Sequence, residues 1–143
     1  MFKDFNPQKL MLALERSGLS ALIEEKGYDY NCGEGGRNLS GGEKQRISIA
    51  RCLIRETPVL LMDEATAALD SAIAYEIISQ ILNLKELTRI IVTHKLDEEM
   101  LCKYDEIIVM RAGEIAERGT FNKLIAEKGY FYSLYTVDVD LVS

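Results

Sequence analysis

Two short apolar runs, Val59-Leu60-Leu61-Met62 and Ile90-Ile91-Val92, each end in groups that a protein core avoids, and this constrains the chain more than any other feature. The first follows Pro58 and ends in Asp63-Glu64; the second begins at Arg89 and ends in Thr93-His94. A continuous apolar run of this length reads as a fully buried strand, parallel and central in its sheet. Between them, Ser71 onward carries Ile73, Ile77, Ile78, Ile81 and Leu82 at helical spacing. Strand, helix and strand in that order predict an α/β layer architecture with parallel strands. Open sheets of this kind bind ligands beyond the C-terminal ends of their strands, so Asp63, Glu64 and His94 are expected to face one crevice.

The flanking pattern extends the same alternation. Helices are expected over Pro7–Arg16 and Ser20–Lys26, a loop over Tyr28–Asn38, and a helix behind Ser40. Strand 58–63, helix 71–83, strand 88–93, a short helix near 96–102, strands 105–110 and 114–118, and helices near 120–127 and 129–136 complete the reading.

Leu39-Ser40-Gly41-Gly42-Glu43-Lys44-Gln45-Arg46 is the second unusual stretch. Ser40 and Glu43 fit a capping box, the hydroxyl accepting the N–H of residue 43 and the carboxylate reaching back to the N–H of Ser40. Ile47, Ala50, Leu53 and Ile54 then form an apolar helical face, with Lys44, Arg46, Arg51 and Arg55 on the wet side. A well-capped helix accounts for all of this except the glycines, each of which costs about 1 kcal/mol against alanine inside a helix. What they offer is bare N–H groups at a helix N-terminus, where an anion such as a phosphate is stabilised by the dipole.

Asp63 stands where a carboxylate can hold Mg²⁺ directly or through water, and Glu64 where one can orient an attacking water in phosphoryl transfer. The plain alternative is a strand that ends in solvent. Asp70 lies just before the next helix and suits an N-cap. The single histidine excludes a His-rich metal site; His94 is either an ordinary surface or core residue or, at a strand end beside Asp63, a hydrogen-bond donor to a terminal phosphate.

Taken together, these residues resemble the ATP-binding cassette (ABC) ATPases. Leu39-Ser40-Gly41-Gly42-Glu43 resembles the signature motif, with Glu43 where glutamine is commonest. Leu60 to Glu64 resembles the Walker B strand with its catalytic glutamate, Ala68-Leu69-Asp70 the D-loop, with Ala67 replacing a frequent serine, and Thr93-His94-Lys95 the switch-histidine segment. Gly113 to Thr120 resembles the hairpin and E-x-G-T stretch that follow it. The resemblance runs from about residue 15 to 135. Gly33-Glu34-Gly35-Gly36 and the tail Gly129 to Tyr135 resemble exporter-type cassettes, Glu34 matching the acidic position of a loop that meets the membrane domain.

The resemblance implies a P-loop NTPase (RecA-like) fold, with residues 1–55 as the helical signature subdomain and signature helix and 56–143 as the C-terminal part of the RecA-like core. It implies ATP and Mg²⁺ as ligands, Glu64 and His94 as catalytic residues, and Asp63 as the metal ligand. Leu39, Ser40, Gly41, Gly42, Glu43 and Asp70 would meet the nucleotide. A P-loop requires a Gly-Lys pair, because a backbone nest and the lysine hold the β- and γ-phosphates, and the chain contains no Gly-Lys dipeptide. The P-loop half, the adenine-stacking aromatic residue and the glutamine loop are thus expected upstream of Met1, and the chain alone is expected to be inactive. In the family two cassettes sandwich ATP head to tail, which implies a second nucleotide-binding domain, the transmembrane domains and the missing P-loop half as partners. The implied location is the cytoplasmic face of a membrane.

Other observations bound these expectations. A length of 143 residues, 48% of them hydrophobic, suffices for one core, but without the P-loop strand the sheet would have open apolar edges that invite dimerisation or strand exchange. A net charge of −6 argues against a nucleic-acid surface. No apolar run approaches the roughly 18 residues of a membrane span, and the N-terminus lacks a signal-peptide pattern. Cys32, Cys52 and Cys102 form neither a disulfide framework nor a zinc pattern and suit a reducing cytosol. Two other readings stay open: a soluble ABC ATPase of DNA repair, chromosome organisation or translation, and a non-catalytic docking module.

Overall fold

The computed structural model describes residues 6–142, with side chains described as far as residue 138. The chain divides into two compact units, Met1–Val92 and Thr93–Ser143.

The first unit begins with three helices, α1 (Pro7–Arg16), α2 (Ser20–Lys26) and α3 (Gly41–Leu53). Asn6 starts α1 by accepting the N–H of Gln8, with Pro7 in the first turn, where its missing N–H costs nothing. Leu14, Leu19 and Ala50 form a small buried cluster, with Leu10, Leu22, Ile23 and Ile47 packed on it, so the apolar face expected on α3 is the face that meets α1 and α2. Residues 28–38 are the expected loop, refined by a 3₁₀ turn, η1, over Glu34–Gly36. Asn31 organises it, accepting the N–H of Gly33 through its side chain and the Asn38 amide through its carbonyl. Gly35 and Gly36 take φ of 60° and 72°, a region side chains seldom enter.

Strands β1 (Val59–Asp63) and β2 (Thr88–Val92) pair in parallel, Val59 opposite Thr88 and Asp63 opposite Val92, across helix α4 (Ser71–Leu82). The Asp70 carboxylate caps α4 by accepting the Ile73 N–H at 2.9 Å. At its other end the Arg89 guanidinium donates to the carbonyls of Ile81, Leu82 and Leu84.

One expectation is overturned here. β1 is not fully buried: Leu60 and Met62 are covered, whereas Val59 and Leu61 are 50% and 65% exposed, and Ile90 and Val92 on β2 are 52% and 49% exposed. Nor is it central, since among the described residues its sheet has two strands. Side chains alternate between faces of a sheet, and here only one face is packed.

The second unit holds a short helix, α5 (Glu98–Leu101), an antiparallel hairpin of β3 (Ile107–Arg111) and β4 (Glu114–Gly119), and helices α6 (Phe121–Glu127) and α7 (Tyr130–Val142). Its core is Leu101, Val109, Phe121, Leu124 and Phe131, with Phe121 edge-on to both Phe131 and Tyr135. The Glu117 carboxylate accepts the N–H groups of Tyr130 and Phe131 at the start of α7, and Thr120 caps α6. The E-x-G-T stretch is therefore a mechanical joint between hairpin and helices. Among the described residues no helix is long and apolar enough to cross a membrane.

Candidate functional site

The N-terminus of α3 is built as its sequence demands. The Ser40 hydroxyl accepts the Glu43 N–H at 3.1 Å, and the Glu43 carboxylate accepts the Ser40 N–H at 2.6 Å, a complete capping box. The other carboxylate oxygen of Glu43 accepts from Lys26 Nζ at 3.1 Å. The Ser40 N–H, and after it the Lys26 ammonium, hold the Glu43 carboxyl below the usual carboxylate range; Lys26 is raised, first by its hydrogen bond to Glu43. Ser40 and Gly41 are exposed, Leu39, Gly42 and Glu43 half-buried.

The glycine pair has two separable explanations. A Cβ on Gly41 would lie 3.6 Å from the Ala68 side chain, an ordinary contact. A Cβ on Gly42 would lie 3.0 Å from Leu69 Cδ2 and 3.3 Å from the Ala68 carbonyl oxygen. Gly42 thus has a packing reason independent of any ligand: it lets the turn that follows β1 approach the helix. Gln45 fastens the same approach, its side-chain oxygen accepting the Ala68 N–H at 3.0 Å. Neither Gln45 nor Lys26 is marked by the sequence alone, since their partners lie far along the chain.

The turn itself starts at Glu64. Its backbone has φ of 44°, unusual for a non-glycine residue, and it is pinned on both sides, its N–H bonded to the Val92 carbonyl at 3.0 Å and its carbonyl accepting the Ala67 N–H at 3.0 Å. Left-handed non-glycine residues cost of order 1 kcal/mol or more and cluster at functional sites. Asp63 and Glu64 are both exposed. They line a cleft of about 400 Å³ whose other wall is the α3 face of Lys44, Gln45 and Ser48.

The first unit carries Leu39, Ser40, Gly41, Gly42, Glu43, Asp63, Glu64 and Asp70; of these Asp63 and Glu64 line the cleft, Ser40 and Glu43 form the capping box, and Asp70 is engaged as a helix cap. His94 belongs to the second unit, exposed, at the centre of a turn in which the Lys95 N–H donates to the Thr93 hydroxyl at 3.0 Å. Among the described residues no cluster of three or more histidine, cysteine or acidic side chains could hold a metal by itself.

Known proteins share both this sequence and this fold. Residues 8–67 match the family model described as ABC transporter. The chain is 42% identical over 120 residues to the glutathione/L-cysteine transport system ATP-binding/permease protein CydC of Escherichia coli, covering 83% of this chain and 21% of that protein. It is 44% identical over 139 residues to the ATP-dependent lipid A-core flippase of Pasteurella multocida, covering 95% and 24%. Among solved structures, a bacterial Atm1-family ABC exporter with ATP bound superposes with a TM-score of 0.87 at 31% identity, over 96% of this chain and 24% of that one. The chain thus spans about a quarter or less of the length of the relatives it matches. A capped Ser-Gly-Gly helix fastened to a strand that ends in two carboxylates, in a sequence and fold shared with these proteins, places the chain in the ABC transporter family, within the ATP-binding cassette.

Proposed function

We propose that this chain supplies the signature helix and the carboxylate-bearing strand of an ATP-hydrolysing cassette that powers export across a membrane. The observation that carries the reading is that Asp63 and Glu64 line a cleft against the Lys44, Gln45 and Ser48 face of α3, the helix opened by Ser40-Gly41-Gly42, with Glu64 held in a strained backbone conformation. The names of the relatives, a transport system, a flippase and an exporter, favour transport over the soluble and docking alternatives.

In this reading Ser40, Gly41 and Gly42 present a hydroxyl and bare N–H groups to the phosphates of an ATP gripped by the P-loop of a second cassette. Leu39 and Glu43 hold that loop, and Asp70 sets the turn before α4. Asp63 fits Mg²⁺: it is an exposed oxygen ligand at a strand end, and Mg²⁺ takes one or two carboxylates, leaving its other positions to phosphates and water. Bound there, the ion would neutralise phosphate charge. Glu64 orients and polarises the attacking water, and His94 donates to the terminal phosphate. Residues 1–55 would act as the helical signature subdomain and 56–143 as part of the RecA-like core. A segment bearing the P-loop would cover the open face of Val59, Leu61, Ile90 and Val92, and transmembrane domains would hold the assembly at the cytoplasmic face of a membrane.

The test is to combine the chain with a matching P-loop-bearing segment and measure Mg-ATP hydrolysis. Turnover is expected only on mixing, and Glu64→Gln is expected to abolish it. Turnover by the chain alone would refute the dependence on a second segment, and a stable complex without turnover would refute the catalytic reading.

A further inference from the structure

We propose that Lys26 is a positioning residue that cancels the charge of Glu43 and so keeps the Ser40-Gly41-Gly42 loop receptive to an anion. The inference rests on the ATP reading above. Its starting point is a contradiction in that reading. Glu43 sits in the first turn of α3, beside the N–H groups offered to phosphate, and an uncompensated carboxylate there repels a polyanion.

The geometry resolves the contradiction. Both carboxylate oxygens are used: one accepts the Ser40 N–H at 2.6 Å, the other Lys26 Nζ at 3.1 Å. Lys26 comes from the last turn of α2, where a cation is favoured by the helix dipole, and its ammonium lies 5.0 Å from the centre of the Tyr30 ring, within cation–π range. The contact is better shielded than the Lys9–Glu56 and Lys123–Glu127 pairs. The Lys26 and Glu43 side chains are 23% and 15% exposed, against 48% and 59% for Lys9 and Glu56 and 57% and 51% for Lys123 and Glu127. Screening by solvent is correspondingly weaker, so the pair matters more to the local potential than an ordinary surface ion pair does to stability. Glu43 can then serve as the capping acceptor without presenting a net negative charge to the ligand.

A charge role and a packing role predict different double-mutant behaviour. In the assembled cassette, Lys26→Met is expected to raise KM for Mg-ATP by about tenfold with little change in kcat, the effect shrinking as salt rises from about 50 to about 500 mM. In the Glu43→Gln background, where no charge is left to cancel, Lys26→Met is expected to move KM less than about twofold. Lys26→Arg, which keeps the charge, is expected to retain the original KM. Equal penalties in both backgrounds, or a penalty for Lys26→Met that salt does not reduce, would overturn the proposal in favour of packing. An unchanged KM in Lys26→Met would overturn it outright while leaving the ATP reading intact. Failure of the unmodified cassette to hydrolyse ATP would bring down the reading and this inference together.

Discussion

Replacing each glycine of the pair by alanine separates packing from ligand binding at the start of α3. On propensity alone both changes stabilise the helix, by at most about 1 kcal/mol and less in the first turn, with part of the gain coming from a less flexible unfolded chain. At Gly41 nothing opposes this, since the new methyl meets only the Ala68 side chain at 3.6 Å. At Gly42 the methyl is driven to 3.0 Å from Leu69 Cδ2 and 3.3 Å from the Ala68 carbonyl oxygen. Neither neighbour gives way easily. Leu69 is buried, and Ala68 is tethered by its N–H to Gln45. Overpacking of this kind costs about 1–3 kcal/mol, so the net effect of Gly42→Ala is a loss of about 1–2 kcal/mol, and the two variants should differ by about 2 kcal/mol. Native-state hydrogen exchange reads this locally at the Ala68 N–H, where about 2 kcal/mol is roughly a thirtyfold difference in protection. The proposed phosphate contact predicts that both variants weaken ATP binding in the assembled cassette, so Gly41→Ala should lose affinity while keeping stability. Equal protection of Ala68 in the two variants would refute the packing argument for Gly42.

Two further predictions address single contacts. Asp70→Ala removes the acceptor of the Ile73 N–H and should destabilise α4 by about 1 kcal/mol in a urea titration, with Asp70→Ser recovering most of it; a stability cost of zero would show that the cap contributes nothing. The Tyr135 hydroxyl donates to Glu98 at 2.7 Å, and this bond to a carboxylate pushes its pKa up to about 12. Folding therefore favours the neutral phenol, and the contribution of this contact is full below pH 10, the ordinary tyrosine value, and is lost as pH rises toward 12. Ultraviolet titration should show Tyr135 ionising late and Glu98→Gln returning it to the ordinary range, while Tyr104, raised mainly by burial, stays high.

The strand–helix–strand order, the capping box and the placement of Asp63 and Glu64 at a strand end were legible because each is set by local pattern. Pro7–Arg16 and Ser20–Lys26 fall where their spacing puts them for the same reason. What escaped was set by distance along the chain. Val59 and Leu61 read as buried because an apolar run records that both faces of a strand suit burial; which face is covered depends on neighbours the run does not name. The glycine pair read as a concession to phosphate because only a ligand was in view, whereas the turn of Ala68 and Leu69 supplies a second cause for Gly42. Gln45 and Lys26 went unmarked because their partners are 23 and 17 residues away. The strain at Glu64 was hidden as well, since nothing in Met-Asp-Glu-Ala announces a positive φ; it follows from the bonds that fix the Glu64 N–H to Val92 and its carbonyl to Ala67. Apart from Lys26–Glu43, these unread contacts converge on one segment. Gln45 and Gly42 hold Ala68 and Leu69 against α3, and the Glu64 N–H ties the start of the same turn to Val92 on β2, so the turn behind the proposed catalytic carboxylate is anchored both to the sheet and to the helix that carries the proposed phosphate loop. Motif spacing cannot express such a double anchorage.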